Sequence, residues 1–362
     1  MKTIKIEKES WAQGLEKLQN KYRLFGPMAD KDSYEFKELN PGDTPVLEHG
    51  TQGNTRLSVK SVIYPQSQTM FTYTLDESKD DHHIMKEVAL NGKPRAVFGV
   101  RPCDAASFKL VQRNFDTPEY KDPFWIHPYE ETTFVGIACD EPSKTCFCTS
   151  VGCGPYNEEG LDLLLVKESK DGNDFFARIL TKKGDDLARA AGWLTDATAD
   201  VDAAADVDFE SRKTDAEKKI TANVSIDQLK EKKTTDLFSA DFWDQVGFSC
   251  LNCGTCTYSC PTCWCFDIQD EVKGCQGKRI RNWDSCMYTL FTLEGSGHNP
   301  RSNKVQRVRQ RFMHKLKYYV DKYDAGVQCV GCGRCIQLCP VNIDIREVCE
   351  IMNTYTPAEE EV

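Results

Sequence analysis

Long apolar runs and an excess of positive charge are both missing from this sequence. The longest apolar stretches, such as residues 163–166, fall far short of the roughly eighteen residues that a membrane-spanning helix needs. The first ten residues, MKTIKIEKES, contain no apolar core of a signal peptide, so we expect a cytoplasmic protein. A formal net charge of -10 argues against nucleic acid as a partner, because phosphate binding needs a basic surface.

Cysteine is absent from the first 102 residues and abundant afterwards. Five cysteines lie between positions 103 and 153, and thirteen lie between positions 250 and 349. A disulfide framework is typical of small secreted domains, whereas the cytosol keeps thiols reduced. The sequence therefore predicts metal ligation by cysteine.

Two loops carry the spacing C-x2-C-x2-C-x3-C-P of bacterial iron–sulfur proteins. The first is CLNCGTCTYSCP (250–261), and the second is CVGCGRCIQLCP (329–340). In two-cluster ferredoxins the fourth cysteine of each loop binds the cluster of the other loop. This crossed pairing predicts two [4Fe-4S] clusters, the first bound by Cys250, Cys253, Cys256 and Cys339, and the second by Cys329, Cys332, Cys335 and Cys260. Zinc also uses C-x2-C pairs, but not this triplet with a distant fourth thiolate and a trailing proline.

The residues before position 196 have the pattern of an α/β domain. The apolar runs at 96–100 and 133–138 are typical of buried strands, and Asp104 is placed to cap a helix through Phe115. Cys103 and Cys139 each follow such a run. Because ligands of open α/β sheets bind at the carboxyl ends of strands, we expect these two thiols to converge.

The C-terminal part is predicted to be helical. Residues 303–326 space Val305, Val308, Phe312 and Leu316 on one helical face, and their basic residues are interpreted as a solvated face or as a docking strip for an acidic partner. The expected organisation is an α/β domain at 1–195, an acidic linker or loop at 196–215, and an α-helical dicluster ferredoxin domain at 216–362. The long segment between the two cysteine loops favours this helical type of dicluster domain.

A third group of cysteines admits two readings. Cys103, Cys139, Cys146 and Cys148 could bind a third cluster at the strand ends, or several of them could be buried structural thiols. Spacing alone does not decide between these readings.

Several stretches in chain order resemble one known family: RLFGP (23–27), FGVRPCD (98–104), CDEPSKTCFC (139–148), CPTCWC (260–265), WDSC (283–286), GHN (297–299) and CVGCGRC (329–335). The chain resembles the iron–sulfur beta subunit of cytosolic sulfhydrogenases, which are NAD(P)-coupled NiFe hydrogenases, and the related iron–sulfur subunit of anaerobic sulfite reductase. The resemblance favours a third cluster at Cys103, Cys139, Cys146 and Cys148. It leaves Cys153, Cys275 and Cys349 as structural or incidental.

Cys263, Cys265 and Cys286 also belong to the resemblance, but the ferredoxin pairing does not use them. They could bind a further metal centre with a fourth ligand such as His298 or Cys275. They could instead pack around the two clusters and tune their potentials through weak hydrogen bonds to cluster sulfur. We favour tuning, because three ligands without a clear fourth are weak evidence for a centre.

The sequence contains no G-x-G-x-x-G or G-x4-G-K-[ST] loop of a nucleotide site. A chain with one-electron centres and no such motif is expected to relay electrons. In the resembling complexes this subunit lies between a flavoprotein subunit that reacts with NAD(P)H and a catalytic subunit of hydrogenase or sulfite reductase type. The alternatives are a reductase with its own metal centre at Cys263, Cys265 and Cys286, and a redox sensor whose clusters mainly maintain the fold.

Overall fold

The structure is a computed structural model that describes residues 2–47, 54–90, 92–169, 174–198 and 209–357. Its strands are β1 Lys2–Ile6, β2 Arg23–Asp30, β3 Ser33–Glu38, β4 Ser67–Thr74, β5 Lys86–Glu87, β6 Arg95–Val100, β7 Thr132–Ile137, β8 Leu163–Lys167, β9 Phe175–Ile179, β10 Phe266–Lys273 and β11 Gln276–Trp283. Its α-helices are α1 Lys8–Gln19, α2 Lys60–Ile63, α3 Pro102–Phe115, α4 Pro123–Glu130, α5 Lys182–Ala191, α6 Phe209–Lys218, α7 Thr234–Ser239, α8 Phe242–Phe248, α9 Thr255–Tyr258, α10 Lys304–Met313, α11 Tyr319–Tyr323, α12 Arg334–Gln337 and α13 Ile345–Thr354.

Within these residues the N-terminal part is built on a seven-stranded mixed sheet of order β1-β9-β8-β7-β6-β2-β3. Strands β8, β7, β6 and β2 are parallel neighbours, and the outer strands pair antiparallel. Strand β6 shows why the sheet is buried on both faces. Val97 packs with the core beneath α3 and α4, whereas Phe98 packs against Trp11 of α1 on the opposite face. The predicted α/β character of this part is confirmed.

A second sheet of order β10-β11-β4-β5 joins the two parts of the chain. Strands β10 and β11 form a hairpin within the segment that separates the two cysteine loops, and β11 pairs with β4 of the N-terminal part. The expectation of a wholly helical segment is therefore wrong for residues 266–283. Strand β10 is exposed along its whole length, although Phe266, Ile268 and Val272 alternate with polar residues. This alternation is the signal of a strand and was not used in the prediction.

The predicted linker overlaps a helix. Residues 199–208 lie outside the described residues, but α6 begins at Phe209, whose buried ring meets Tyr156 edge-on and lies under the guanidinium of Arg178. The end of the 196–215 segment is thus part of the α/β core. The division into domains at this point stays a prediction.

The predicted helix at 303–326 is present but interrupted. Asn303 caps α10 through a capping box with Gln306, and a π-helical turn at His314–Tyr318 connects α10 to α11. Such turns are frequent at functional sites, because they re-aim side chains on a helix. No helix in the described ranges is long and apolar enough to cross a bilayer.

Candidate iron–sulfur sites

The structure brings the twelve predicted ligands together in three groups of four. Each group lines one cavity. The first group is Cys250, Cys253, Cys256 and Cys339; the second is Cys260, Cys329, Cys332 and Cys335; the third is Cys103, Cys139, Cys146 and Cys148. These groups coincide with the crossed pairing and with the third set expected from the resemblance, and the ligand assignments themselves stay predictions.

The two ferredoxin loops repeat in structure as well as in sequence. Each leads into a single helical turn, α9 or α12, after a glycine with positive φ, Gly254 at 75° and Gly333 at 73°. Glycine takes this backbone conformation without the Cβ strain that other residues incur. The loop can therefore turn tightly enough for closely spaced cysteines to face one cavity.

The three groups lie in a row. Cys335 lines the first and the second cavity, and Cys332 lines the second and the third. Within the described residues no three metal-ligating side chains converge as a single bound ion requires. In a cubane each thiolate binds a different iron, so four thiols placed around a cavity fit a cluster without converging on one point.

Two cysteines of the third group lie just beyond the ends of strands, as expected. Cys103 follows β6 at the start of α3, and Cys139 follows β7. The loop that carries Cys146 and Cys148 is held against the second ferredoxin loop, because the Phe147 amide donates to the carbonyl of Gly331 over 2.9 Å. Two segments far apart in sequence thus form the boundary between the second and third cavities.

Gly331 permits this close approach, and its replacement is expected to be costly. A Cβ at this position would lie 2.4 Å from the Cys148 backbone nitrogen, and φ is +63°. For Gly331→Ala we expect the free energy of unfolding to fall by about 2–5 kcal/mol, because of positive-φ strain and overpacking. We also expect less iron to be retained at the third group. Anaerobic thermal unfolding and iron analysis would measure both effects.

Gly297→Ala is the matched control for this prediction. Gly297 has a φ of +83°, but a Cβ there would meet nothing within 4 Å. The Gly297→Ala variant should lose only about 1–2 kcal/mol of stability, which is the cost of the left-handed backbone conformation alone. Equal losses in the two variants would show that the contact with Cys148 carries no cost.

A buried ion pair joins the second and third groups. Arg334, within the second ferredoxin loop, donates two hydrogen bonds to the carboxylate of Asp104 on α3, and its Nε donates to the carbonyl of Thr55 over 2.8 Å. Both charged side chains are at most 1% exposed. The prediction that Asp104 caps α3 is wrong, since Arg101 occupies the N-cap and Asp104 is bound to Arg334 instead.

The basic residues of the helix at 304–323 are not all solvated, contrary to the first of the two interpretations. Arg307, Arg311, Lys315 and Lys317 are buried. Positions 307, 311 and 315 are four residues apart and lie on one helical face. That spacing is visible in the sequence, but the partners of these cations come from other segments, so the spacing alone does not reveal their burial.

Lys315 provides positive charge at the second group. Its Nζ lies 3.2 Å from the Sγ of Cys260 and also donates to Thr262 and to the carbonyl of Gln328. Burial raises the pKa of the Cys329 thiol to about 11 and that of Cys335 to about 12. Since metal binding requires thiolates, buried cations beside them offset part of this penalty.

The remaining cysteines fall into separate environments. Cys263, Cys265 and Cys286 line a further cavity, whereas the suggested fourth ligands do not line it: Cys275 lies in the turn between β10 and β11, and His298 is exposed. Cys349 is buried in the helical core. Cys153 packs beside Cys103, and its amide donates to the carbonyl of Cys148, so it borders the third group.

Comparison with known proteins agrees with this arrangement. The family described as the 4Fe-4S dicluster domain matches residues 249–343. The Sulfhydrogenase 2 subunit beta of Pyrococcus furiosus is 30% identical over 346 residues, which cover 95% of this chain and 96% of that protein. This chain belongs to the sulfhydrogenase beta-subunit family.

Membership of the sulfhydrogenase beta-subunit family extends over both parts of the chain, because the similarity is not confined to the ferredoxin loops. The dicluster match contains all eight cysteines of the first two groups, which supports [4Fe-4S] clusters as cofactors of this family member. No solved structure matches the chain.

Proposed function

We propose that this chain is an electron-transfer subunit of an oxidoreductase complex. It would relay electrons between a flavoprotein subunit that reacts with NAD(P)H and a catalytic subunit of hydrogenase or sulfite reductase type. The observation that carries the proposal is the row of three four-cysteine groups, in which neighbouring cavities share a lining cysteine. The relative from Pyrococcus furiosus is named as a sulfhydrogenase subunit, which supports a hydrogenase-type partner.

The residues present fit [4Fe-4S] clusters. Each group offers four thiols, the ligand number of such a cluster, and a bound cluster supplies a centre that gains or loses one electron. The protein's own contribution is to hold the thiols in place, to surround them with apolar side chains and to provide compensating positive charge. We propose that Cys103, Cys139, Cys146 and Cys148 bind a third cluster. Because thiols stay reduced in the cytosol, we also propose a cytoplasmic location.

The two ends of the row differ in exposure. Cys253 of the first group is exposed, and the exposed residues Leu251 and Phe248 lie within five positions of it in the sequence, whereas Cys146 and Cys148 of the third group are buried. Exposed apolar side chains of this kind mark candidate partner surfaces. We therefore propose that one partner subunit docks beside the first group.

Removal of one ligand of the third group tests the relay. In the assembled complex, Cys139→Ser should bind about four fewer irons per chain, because one cubane contains four. NAD(P)H oxidation with an artificial dye at the flavoprotein, and dye-linked turnover at the catalytic subunit, should both be unchanged. The coupled reaction between the two subunits should fall by at least 100-fold.

Cys275→Ser is the matched control, since Cys275 is exposed in a hairpin turn away from the three groups. It should retain the iron content and the coupled rate. A Cys139→Ser complex with full coupled activity would contradict a relay through the third group. Substrate reduction by the isolated chain would instead favour the alternative of a reductase with its own metal centre.

A further inference from the structure

Cys265 and Cys286 form a pair of thiols outside the three cysteine groups. The two side chains are hydrogen-bonding partners. The amide of Asp284 donates to the carbonyl of Cys265 over 3.0 Å, which holds the segment that carries Cys286 alongside. The ligands of a cubane bind separate irons, so two thiols in direct contact do not fit that role. Contact between two thiols is instead the starting geometry for a disulfide.

Cys263 lines the same cavity but has a different partner. Its thiol bonds to Cys260, which is a predicted ligand of the second group. The Nζ of the buried Lys60 donates to the Cys263 carbonyl over 2.8 Å and fixes this part of the chain. Cys263 thus leaves Cys265 and Cys286 to each other, and it places this pair beside the second group.

The surroundings of the pair favour the thiolate form of Cys265. Hydrogen bonds from the thiol and from the amide of Cys286 lower the pKa of Cys265, and the positive charge of Lys60 acts in the same direction. The bond between the two thiols raises the pKa of Cys286. The thiolate is the attacking form in thiol–disulfide exchange. Cys265 is therefore suited to attack a disulfide first, and Cys286 is suited to attack second.

A cavity of about 500 Å³ gives access to the pair, and both thiols are half-buried on its wall. The volume lies within the range of about 300–1,000 Å³ that is usual for ligand sites. Arg301 lines this cavity and none of the three cavities of the cluster groups, so its charge lies beside a ligand in this space. The Asp122 carboxylate on the same wall is already paired with Arg281 over 2.6 Å. The cavity therefore favours a small ligand with negative charge.

We propose that Cys265 and Cys286 are a redox-active dithiol that reduces small anionic disulfides and is regenerated by electrons from the relay. The Cys265 thiolate attacks one sulfur of the disulfide RSSR, so that a mixed disulfide forms and the first RS⁻ leaves. The Cys286 sulfur then attacks the Cys265 sulfur, the second RS⁻ leaves, and a disulfide joins the two cysteines. The two protons of the dithiol leave with the two RS⁻ groups, which become thiols.

Regeneration of the dithiol rests on the proposed function. Two electrons that arrive through the second group, together with two protons from solvent, cleave the disulfide between Cys265 and Cys286 and restore both thiols. The pair would thus connect a relay that carries single electrons to a reaction that consumes two. Transient disulfides of this kind are compatible with the cytosol, where such bonds are usually catalytic or redox-sensing.

Oxidation of the full chain by dithiodiglycolate, a disulfide with two carboxylates, tests the pair under anaerobic conditions. After alkylation of the remaining thiols and digestion with trypsin, mass spectrometry should find a peptide in which Cys265 and Cys286 are joined. Lys273 and Lys278 lie between them, so their peptides separate unless a disulfide connects them. Cys275, which is exposed in the hairpin turn, is the internal control and should keep one thioglycolate group as a mixed disulfide.

Two variants and a second reagent sharpen this test. Cys286→Ser should stop at a mixed disulfide on Cys265, and Cys265→Ser should leave Cys286 unmodified. Cystamine carries two positive charges in place of the carboxylates. Relative to its rate with free cysteine, cystamine should oxidise the pair about tenfold more slowly than dithiodiglycolate does, because a cationic wall concentrates anions. In the assembled complex, NAD(P)H should restore both thiols of the oxidised pair.

Three outcomes would overturn parts of the proposal. A native chain whose Cys265 and Cys286 are both alkylated after this treatment would reject the dithiol, and this result decides even if a variant fails to fold. Equal relative rates for the two reagents would reject the preference for anionic disulfides. A disulfide that forms but that NAD(P)H does not reduce in the complex would reject regeneration by the relay. The coupled rate of Cys139→Ser tests the relay itself, so the two failures are distinguishable.

Discussion

Replacing Arg334 with methionine should lower the free energy of unfolding by about 3–5 kcal/mol, because the Asp104 carboxylate would be left buried and unpaired. Arg334 also donates to Thr55, so the substitution leaves a carbonyl without its donor. The effect should appear as a lower thermal midpoint under anaerobic conditions. Iron should be lost mainly from the second and third groups, which this ion pair connects.

Arg279→Met is the matched control for Arg334→Met, because Arg279 also binds a carboxylate through two hydrogen bonds but lies on the surface. Arg279 makes two hydrogen bonds to Asp270, both 2.8 Å, but the two side chains are 39% and 40% exposed. Such pairs contribute about 0–1 kcal/mol. The double variant Asp104→Leu with Arg334→Met should recover much of the loss, since it removes both buried charges. A single variant as stable as Arg279→Met would contradict the role assigned to the buried pair.

Replacing Lys315 with methionine should shift the reduction potential of the centre at the second group to a more negative value. The Lys315 charge lies 3.2 Å from Cys260 Sγ and favours the added electron. For a charge separation of about 6 Å and an effective dielectric constant of about 20, the interaction is about 3 kcal/mol. That energy corresponds to about 130 mV for one electron. A redox titration followed by electron paramagnetic resonance would measure it.

Lys317→Met removes the same charge two residues further along the same helix. Lys317 is buried too, but it pairs with Asp321 over 2.7 Å and donates to the carbonyl of Leu229, away from the cysteine groups. Its replacement should leave the potential unchanged within about 20 mV, because the charge lies farther away and is already paired. Equal shifts in the two variants would mean that the effect comes from disturbed packing rather than from the charge beside Cys260.

The parts of the site that the sequence predicted depend on short-range spacing. Each ferredoxin loop encloses its cysteines within a few residues, and Cys103 and Cys139 follow buried strands whose carboxyl ends lie at one edge of a sheet. Such relations are local or follow from general topology. They are therefore readable without knowledge of the tertiary contacts.

Charge compensation was not predicted, because it joins segments distant in sequence. Asp104 has a side chain suited to a helix cap, yet it lies within the first turn of α3, and its carboxylate binds a guanidinium 230 residues away. Arg311 and Lys315 resemble a solvated stripe until the cysteine loops are placed against them. The sequence shows which local hydrogen bonds a polar residue near a helix end or on a helix face can make. The partner that it binds in the folded protein depends on the tertiary structure.

The pairing of β11 with β4 has a consequence for how the protein is made. Gln276 and Thr74, which face each other in this pair, are 202 residues apart. At a synthesis rate of about 5–20 residues per second, β4 is made about 10–40 s before β11, the strand that pairs with its edge. During that interval β4 exposes unpaired backbone groups on the nascent chain, and such edges are prone to join other chains. Production of the intact protein should therefore be sensitive to the supply of chaperones during translation.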